Sequence, residues 1–515
     1  MPAIAYLNRL LPGLQPLLKY RAEDWPHDFS AGLSVAAVSI PVAIAYAEVA
    51  GLSPSAGLYS SILPMIVYAL AGTSRQMIIG PDAATCAMIA AVVAPLAAGN
   101  SGVYLSFSIA LTLLTGIFCI AASFLRLGGL ADFLARPILV GLLNGISLSI
   151  MVGQVGKVLG SKGQASRFFR QLLEIPELVL QAHVPTVLLS LGCVLVMSVM
   201  PRLSKRIPAS LVTMILAALA AYSLRLDEMG VALIGPVASG LPTLDWPELQ
   251  LHEVGDLAGS AAGLGLVLFT SGMLTARSFA ERNRYDIDVD REFAAFGMAN
   301  IVSALSQGFA VTGSSSRTAV NDANGGRTQM VSIIAAVAIA LLLLAGTASL
   351  AWLPIPALGV VLIFASWSLL DLQVFRRYHQ VERAALLLGA VTMLGVLAFG
   401  AIKAIMLAVT LALLMFVRRV ARPALEELVV VDGRSGLYNR LLFPDATPIG
   451  GLLLLRFCGP LVFFNASHFR SEVQRAIARQ TLPVERVVLD LIPMTNLDIT
   501  GIDMLERLDE ELAAQ

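Results

Sequence analysis

Apolar stretches of about 17–25 residues recur along this chain from Asp28 to about Val420, separated by short polar linkers, and each is long enough to span hydrocarbon. The pattern predicts 14 helical elements, at approximately 28–48, 55–72, 82–98, 103–125, 131–159, 184–200, 208–225, 254–280, 291–306, 314–324, 328–350, 355–372, 381–399 and 401–420. The stretch Asp28–Ala97 carries the most information. It is not a plain apolar rod, because Gly and Pro interrupt it and it holds two carboxylates, Glu48 and Asp82. Apolar helices that break around polar groups at membrane depth suit a solute pathway, whereas an anchor needs neither the breaks nor the charges.

The linkers give an independent check on the helix count. Those after even-numbered elements hold Arg75, Arg126, Arg202, Lys205, Arg206, Arg282, Arg284, Arg327, Arg376 and Arg377. Those after the first, third, ninth and eleventh hold no Lys or Arg. The linker after the fifth balances Lys162, Arg167 and Arg170 with Glu174 and Glu177, and the one after the seventh is acidic, with Asp227, Glu228, Asp245, Glu248 and Glu253. Basic linkers stay in the cytoplasm, so both termini are expected there, as an even helix count requires. The bilayer is the expected surrounding, and a bacterial cytoplasmic (inner) membrane the expected location.

Two elements are too short to cross. Asp82–Ala98 follows the β-like run Gln76–Gly80, and Ser314–Asn324 follows Gln307–Thr312. Each begins at a helix-start signal, Gly80-Pro81-Asp82 or Thr312-Gly313-Ser314. They stand third in each set of seven, and Gly80 and Gly313 lie 233 positions apart. That spacing predicts an internal repeat of seven helices, and an odd number per repeat inverts the second copy. The two short helices then enter from opposite sides with their N-termini meeting near the midplane.

Facing helix N-termini concentrate unpaired N–H groups and positive dipole ends, which makes an anion site without a side-chain cation. Ser314, Ser315 and Ser316 add hydroxyls there, either as caps, as anion contacts or as both. Arg317 is read as a fixed charge that concentrates anions, or as a structural partner of Asp82 or of a helix end. Glu48 is a carboxylate able to take a proton on one side and release it on the other if desolvated, or is simply hydrated at the outer helix end. Asp82 is read as a cap or dipole partner, with a structural or coupling role. Tyr46 and Phe309 either wall a cavity or pack between helices.

Composition agrees with this reading and narrows it. The chain has 515 residues, 57% hydrophobic and 14% charged, with a mean hydropathy of +0.79. A soluble domain carries nearly twice that share of charge. The formal net charge is zero, which gives no case for nucleic-acid binding. The residues Met1–Glu23 form a short amphipathic lead without the apolar core of a cleaved signal. Cys86, Cys119, Cys193 and Cys458 show neither metal spacing nor a disulfide framework and read as small packing residues. No P-loop, HExxH, CxxC or suitably placed GxSxG motif occurs, and the five histidines are scattered. An enzyme, a metal or a cofactor is therefore not expected, and energy must come from an ion gradient or exchange.

After Arg418, Arg419 and Arg422 the composition changes. Gly451–Phe457 and Arg486–Leu491 predict buried strands; Ala466–Gln480, with Asn465 as cap, and Thr500–Ala514 predict helices. This is the pattern of a small cytoplasmic α/β domain, where the sequon at Asn465 would not be glycosylated. The expected organisation is a lead at 1–27, a transport domain at 28–425 and an α/β domain at 426–515.

The segments Ile40–Ala84 and Ala276–Gln329 resemble the two signatures of the SulP family of anion transporters, called SLC26 in animals. The tail resembles a STAS domain, and LDITGIDML (Leu497–Leu505) is similar to the motif at which related regulators are phosphorylated, with Thr500 at that position. The resemblance implies an all-α polytopic fold with a 7+7 inverted repeat, as in uracil permeases, followed by the STAS-like domain. It implies that helices 1–4 and 8–11 form a core moving against a gate of helices 5–7 and 12–14. The substrate would lie between helices 3 and 10, with helices 1 and 8 lining it. By motif, Tyr46 matches the aromatic wall, Ser316 the anion-contacting serine and Arg317 the basic residue; Asp82, Ala83, Ala84, Ser314 and Ser315 lie beside them. Homodimers and a cytoplasmic regulator at the STAS domain are further implications.

Three departures qualify the resemblance. Val42 replaces a glutamine common in helix 1, and Ser271 replaces an acidic residue used in cation coupling in helix 8. This weakens sodium coupling and leaves Glu48 as the proton-coupling candidate. The STAS-like segment also stops short of the last strand and helices. The expectation is a symporter moving a dicarboxylate, sulfate or bicarbonate with a proton by alternating access. The alternatives are an uncoupled exchanger or channel-like pathway, a nucleobase permease of the same fold, against which Arg317 argues, and a docking platform acting through the tail.

Overall fold

The structure is a computed structural model that describes residues 11–97, 99–126, 136–161, 163, 165, 167–203, 208–244, 251–431, 433–444, 446, 449–481 and 483–514. Arg9, Lys162, Lys205, Arg206, Asp245, Glu248 and the start of the fifth expected helix lie outside the described residues. Contacts divide the chain into two units, Met1–Val409 and Thr410–Gln515.

In the first unit the helices are α1 (Leu14–Leu18), α2 (Trp25–Val49), α3 (Pro54–Tyr59), α4 (Leu63–Ala71), α5 (Ala83–Ala97), α6 (Ser101–Phe124), α7 (Arg136–Leu159), α8 (Phe168–Leu180), α9 (Val184–Leu203) and α10 (Ala209–Ser223). They continue with α11 (Leu251–Asn283), α12 (Val289–Leu305), α13 (Ser315–Ala323), α14 (Met330–Ala345), α15 (Thr347–Leu350), α16 (Ile355–Leu369), α17 (Gln373–Val381) and α18 (Arg383–Phe399). The helix α19 (Ala401–Ala421) runs into the second unit. Among the described residues, eight helical stretches are long and apolar enough to cross a membrane, and four shorter ones are apolar. All 14 expected elements are present, in order.

Three features depart from the sequence expectation. The second element is broken at Ser60–Ile62, where the Ser60 hydroxyl donates to the Ala56 carbonyl and accepts the Phe309 amide, both at 2.8 Å. Pro64, in the first turn of α4, withholds the N–H that would pair with the Ser60 carbonyl, and the Ser60 hydroxyl fixes the break. The linkers after the fifth and twelfth elements contain the helices α8 and α17, which are too short and polar to span.

Most of the extensive helix pairings fall into two sets, which the packing of α2 on α16 links. One joins α6 with α11 and α12, α4 with α12, and α2 with α13 and α14. The other joins α7 with α16 and α18, and α9 with α10 and α16. Close approach in the first set depends on glycine. A Cβ on Gly116 of α6 would meet the Gly297 carbonyl oxygen of α12 at 2.8 Å, and a Cβ on Gly297 would meet the Gly116 oxygen at 2.7 Å. Reciprocal small residues of this kind let two backbones touch where lipid offers no hydrophobic drive.

The strands β1 (Ile79–Gly80) and β2 (Thr312–Gly313) pair antiparallel, Ile79 opposite Gly313 and Gly80 opposite Thr312. Each leads directly into its short helix, β1 into α5 and β2 into α13. An antiparallel pair sends the two helices away in opposite directions, which is the signature of an inverted 7+7 repeat.

The second unit carries β3 (Leu425–Val430), β4 (Leu437–Asn439), β5 (Leu452–Phe457), α20 (Ala466–Ala478), β6 (Arg486–Asp490) and α21 (Ile499–Ala513). The sheet order is β4-β3-β5-β6, with β5 and β6 parallel and the other pairs antiparallel. Leu453, Leu455, Phe457, Phe469 and Leu508 form its core. Asn465 does not cap α20 through its side chain. Its amide instead ties a turn, accepting the Val462 N–H at 2.9 Å and donating to the Pro460 carbonyl at 2.8 Å.

Candidate functional site

Unwound backbone inside an apolar unit must find hydrogen-bond partners, and here side chains supply them. Ahead of α5, Asn321 donates to the Gln76 carbonyl at 2.7 Å, and Gln329 to the Ser74 and Met77 carbonyls at 2.8 and 2.9 Å. The Ile78 amide donates to the Thr318 hydroxyl at 3.0 Å, and the Ile78 carbonyl accepts the Ser314 amide at 2.9 Å. Ahead of α13, Asn300 holds both the amide and the carbonyl of Val311, at 2.9 and 3.0 Å. Ser303 donates to the Phe309 carbonyl at 2.6 Å, and Thr312 to the Leu268 carbonyl of α11 at 2.5 Å. The two extended segments are therefore fixed by polar residues of the opposite repeat and of helices beside them.

Two fully buried carboxylates anchor the same segments further out. Glu292 of α12 accepts from the Tyr68 hydroxyl at 2.7 Å, from the Thr73 amide and hydroxyl at 2.6 Å each, and from the Ser74 amide at 3.1 Å. Asp28 of α2 accepts from the Arg327 and Thr328 amides at 2.7 and 3.3 Å and from the Thr328 hydroxyl at 2.6 Å. Three or four donors per carboxylate are what a buried anion needs in place of water.

Most of the sequence-derived site residues gather at the junction of the two short helices. Asp82 precedes α5, accepting the Ala84 amide through its side chain at 3.3 Å and the Cys86 amide through its carbonyl at 3.0 Å. Ala83 and Ala84 are buried in its first turn. Ser314 leads into α13 without a side-chain cap, and its hydroxyl lies 3.3 Å from that of Ser316. Ser315 and Ser316 are exposed, and the Ser315 hydroxyl lies 2.7 Å from that of Thr275 on α11, one turn from Ser271. Val42 and Tyr46 are buried on α2, against which α13 packs. Phe309 is wholly buried, with its amide held by Ser60.

Arg317 is the largest fully buried side chain. One terminal nitrogen donates to the Pro81 carbonyl, while Nε and the other terminal nitrogen have no partner. No ion pair with Asp82 forms among the described residues. A Cβ on Gly80 would overlap the guanidinium, so glycine at this position makes the room that Arg317 occupies. A buried guanidinium with free N–H groups beside two helix N-termini can accept an anion.

Glu48 lies apart from this junction. It forms an ion pair with Lys157 of α7 at 2.8 Å, the two side chains about 30% exposed. Thr500 is exposed in the first turn of α21, beside Asp498, whose carboxylate caps that helix through the Gly501 amide at 2.8 Å. The sequence reading did not single out Glu292, Asn300, Thr318, Asn321, Gln329 or Lys157. The available signal was a polar residue inside or next to an apolar element, but many such residues occur and only contacts sort them.

Comparison with known proteins bears on the whole chain. The model of the sulfate permease family matches residues 26–392, and that of the STAS domain matches residues 443–515. A probable sulfate transporter of Mycobacterium tuberculosis is 38% identical over 97% of this chain and 90% of its own length. The low affinity sulfate transporter 3 of Stylosanthes hamata is 29% identical, over 100% of this chain and 84% of its own. Among solved structures, the murine Slc26a9 anion transporter superposes with a TM-score of 0.90 at 21% identity, covering 99% of this chain and 87% of that one. The transmembrane domain of the cyanobacterial bicarbonate transporter BicA gives 0.66 at 23% identity, covering 76% and 98%.

Proposed function

The chain belongs to the sulfate permease family, whose members are multi-pass membrane anion transporters and not enzymes, and we propose from that premise that it carries a small oxyanion, sulfate first, between the N-termini of α5 and α13. The observation that carries this reading is Arg317, buried with two unpartnered N–H-bearing nitrogens at the point where both short helices begin. Ser316 and the free nitrogens of Arg317 contact the anion beside Ala83 and Ala84 at the start of α5, Tyr46 and Val42 wall it, and Ser271 lines the α11 side. Ser314 and Ser315 orient that lining through their hydroxyl contacts. Asp82 serves α5 as its cap.

The two packing sets support a core, α2–α6 with α11–α14, that moves against a gate, α7, α9, α10, α16, α18 and α19, by alternating access. The basic linkers support cytoplasmic termini in a bacterial inner membrane. We take the working unit to be a homodimer whose STAS domain receives a cytoplasmic regulator, with Thr500 as its phosphorylation site.

Coupling divides into two readings. In the first, Glu48 takes a proton when its bond to Lys157 opens during the cycle. In the second, transport is uncoupled exchange, which the Glu48–Lys157 pair favours because the carboxylate is already engaged by a cation at 2.8 Å. Uptake of labelled sulfate, bicarbonate, chloride and fumarate into proteoliposomes, with and without an inward proton gradient, tests both. Gradient-stimulated uptake that Glu48→Gln abolishes establishes symport. Gradient-independent counterflow establishes exchange, and uptake of none of the four anions rejects the proposal.

A further inference from the structure

A cavity of about 670 Å3 lies away from the junction of the short helices, among α2, α5, α7, α8, α18 and α19. Its polar lining includes Glu48, Gln154, Lys157, Arg167, Gln171 and Lys403, three cations against one carboxylate. Arg167 and Lys403 are exposed and have no acidic partner among the described residues. Lys157 is engaged by one Glu48 oxygen, and the second Glu48 oxygen is buried without a partner. The Gln154 side-chain oxygen, on a residue 5% exposed, is likewise unpartnered. The polar groups of this cavity are thus unfinished in the conformation described. Its apolar wall is the face of α5 bearing Ala87, Ala91 and Ala94, which begins one turn beyond Ala83 and Ala84. By the linker charges, the C-terminal ends of α2 and α7 that frame it face away from the cytoplasm.

We propose that this cavity is a second anion site, suited by its excess of two positive charges to a divalent oxyanion, in which Glu48 and the arriving anion compete for Lys157. It rests on the proposed transport reading only for its place along the pathway. Three cations converging in a concave, partly desolvated space concentrate a dianion from solution. The anion adds Lys157 to Arg167 and Lys403 by displacing Glu48, which is exposed enough to be hydrated when released. Because α2 and α7 belong to different packing sets, that exchange also removes one ion pair between them.

The test is equilibrium binding of labelled inorganic sulfate to the purified full chain, compared with Arg167→Gln/Lys403→Gln and with Glu48→Gln, each checked for an unchanged elution profile. The double variant is expected to bind sulfate roughly tenfold more weakly, with a shallower dependence on ionic strength. Glu48→Gln, which frees Lys157, is expected to bind it several-fold more tightly. Affinities equal to that of the unaltered chain in both variants, or weaker binding in Glu48→Gln, would overturn the proposal. Sulfate counterflow separates the two claims. If the cavity is not a site, external KM is unchanged in the double variant while uptake persists and depends on Arg317. If instead the central reading fails, the Arg317 dependence is lost while sulfate binding dependent on Lys403 remains.

Discussion

Arg317, in the first turn of α13, donates to the carbonyl of Pro81, the residue that leads into α5. The contact joins positions 236 apart in sequence and ties the two inverted repeats at the point where both unwind. The guanidinium is held on one side and left with free donors on the other, so one residue both builds the junction and charges it.

Arg317→Lys is expected to lower sulfate uptake by about tenfold or more, since an ammonium cannot satisfy the Pro81 carbonyl and present a planar fork together. Gly80→Ala is expected to do the same without touching any charge, because its methyl would occupy the guanidinium's position. Initial-rate uptake in proteoliposomes at matched protein loading checks both. Normal rates in Gly80→Ala would show that Arg317 moves freely.

The four donors on Glu292 predict a large stability effect. Glu292→Gln leaves an amide nitrogen facing donors, at a cost of about 3 kcal/mol. A thermal melt of the purified protein should shift down by several degrees, and Asp28→Asn should behave alike with three donors. Unchanged melts would mean that the extended segments are held by Asn300, Asn321 and Gln329 alone.

Gly116→Val is expected to prevent close packing of α6 on α12, because its Cβ would lie 2.8 Å from the Gly297 carbonyl oxygen and against Ile301. Poor yield and aggregation on size-exclusion chromatography are the readout. Gly192→Val on α9, where a Cβ meets nothing within 4 Å, should elute normally.

In the STAS domain the Ile492 amide, and then Arg456 at 2.7 Å, hold the Asp490 carboxyl below its ordinary value. A depressed folded-state value stabilises the fold above the unfolded value and loses that contribution as pH falls through the folded one. The domain is therefore expected to weaken below about pH 4, and Asp490→Asn should flatten that dependence. Melts of both proteins between pH 3 and 7 check the slope.

The legible part of the site was the part written in local pattern. The helix starts at Gly80-Pro81-Asp82 and Thr312-Gly313-Ser314 located both short helices to within a residue or two. Ser60 shows the opposite case. Pro64 signals a break in this element, but the partner of Ser60, the Phe309 amide, lies 249 positions away and nothing local announces it. Arg317 was visible as an intramembrane charge, but its release from Asp82 and its hold on Pro81 were not.

Apolar periodicity, linker charge and the third-place short elements determined that this chain is polytopic, repeats in sets of seven and ends in an α/β domain, since each is a property of a segment and its own neighbours. Only the tertiary structure decided that Glu48 faces Lys157, that Glu292 and Asp28 hold the unwound segments, and that Arg317 keeps unpartnered nitrogens. A buried polar group is satisfied by whatever the fold brings within about 3 Å of it. For Glu292, Asp28 and Arg317 that partner comes from the other half of the chain, where no local pattern reaches.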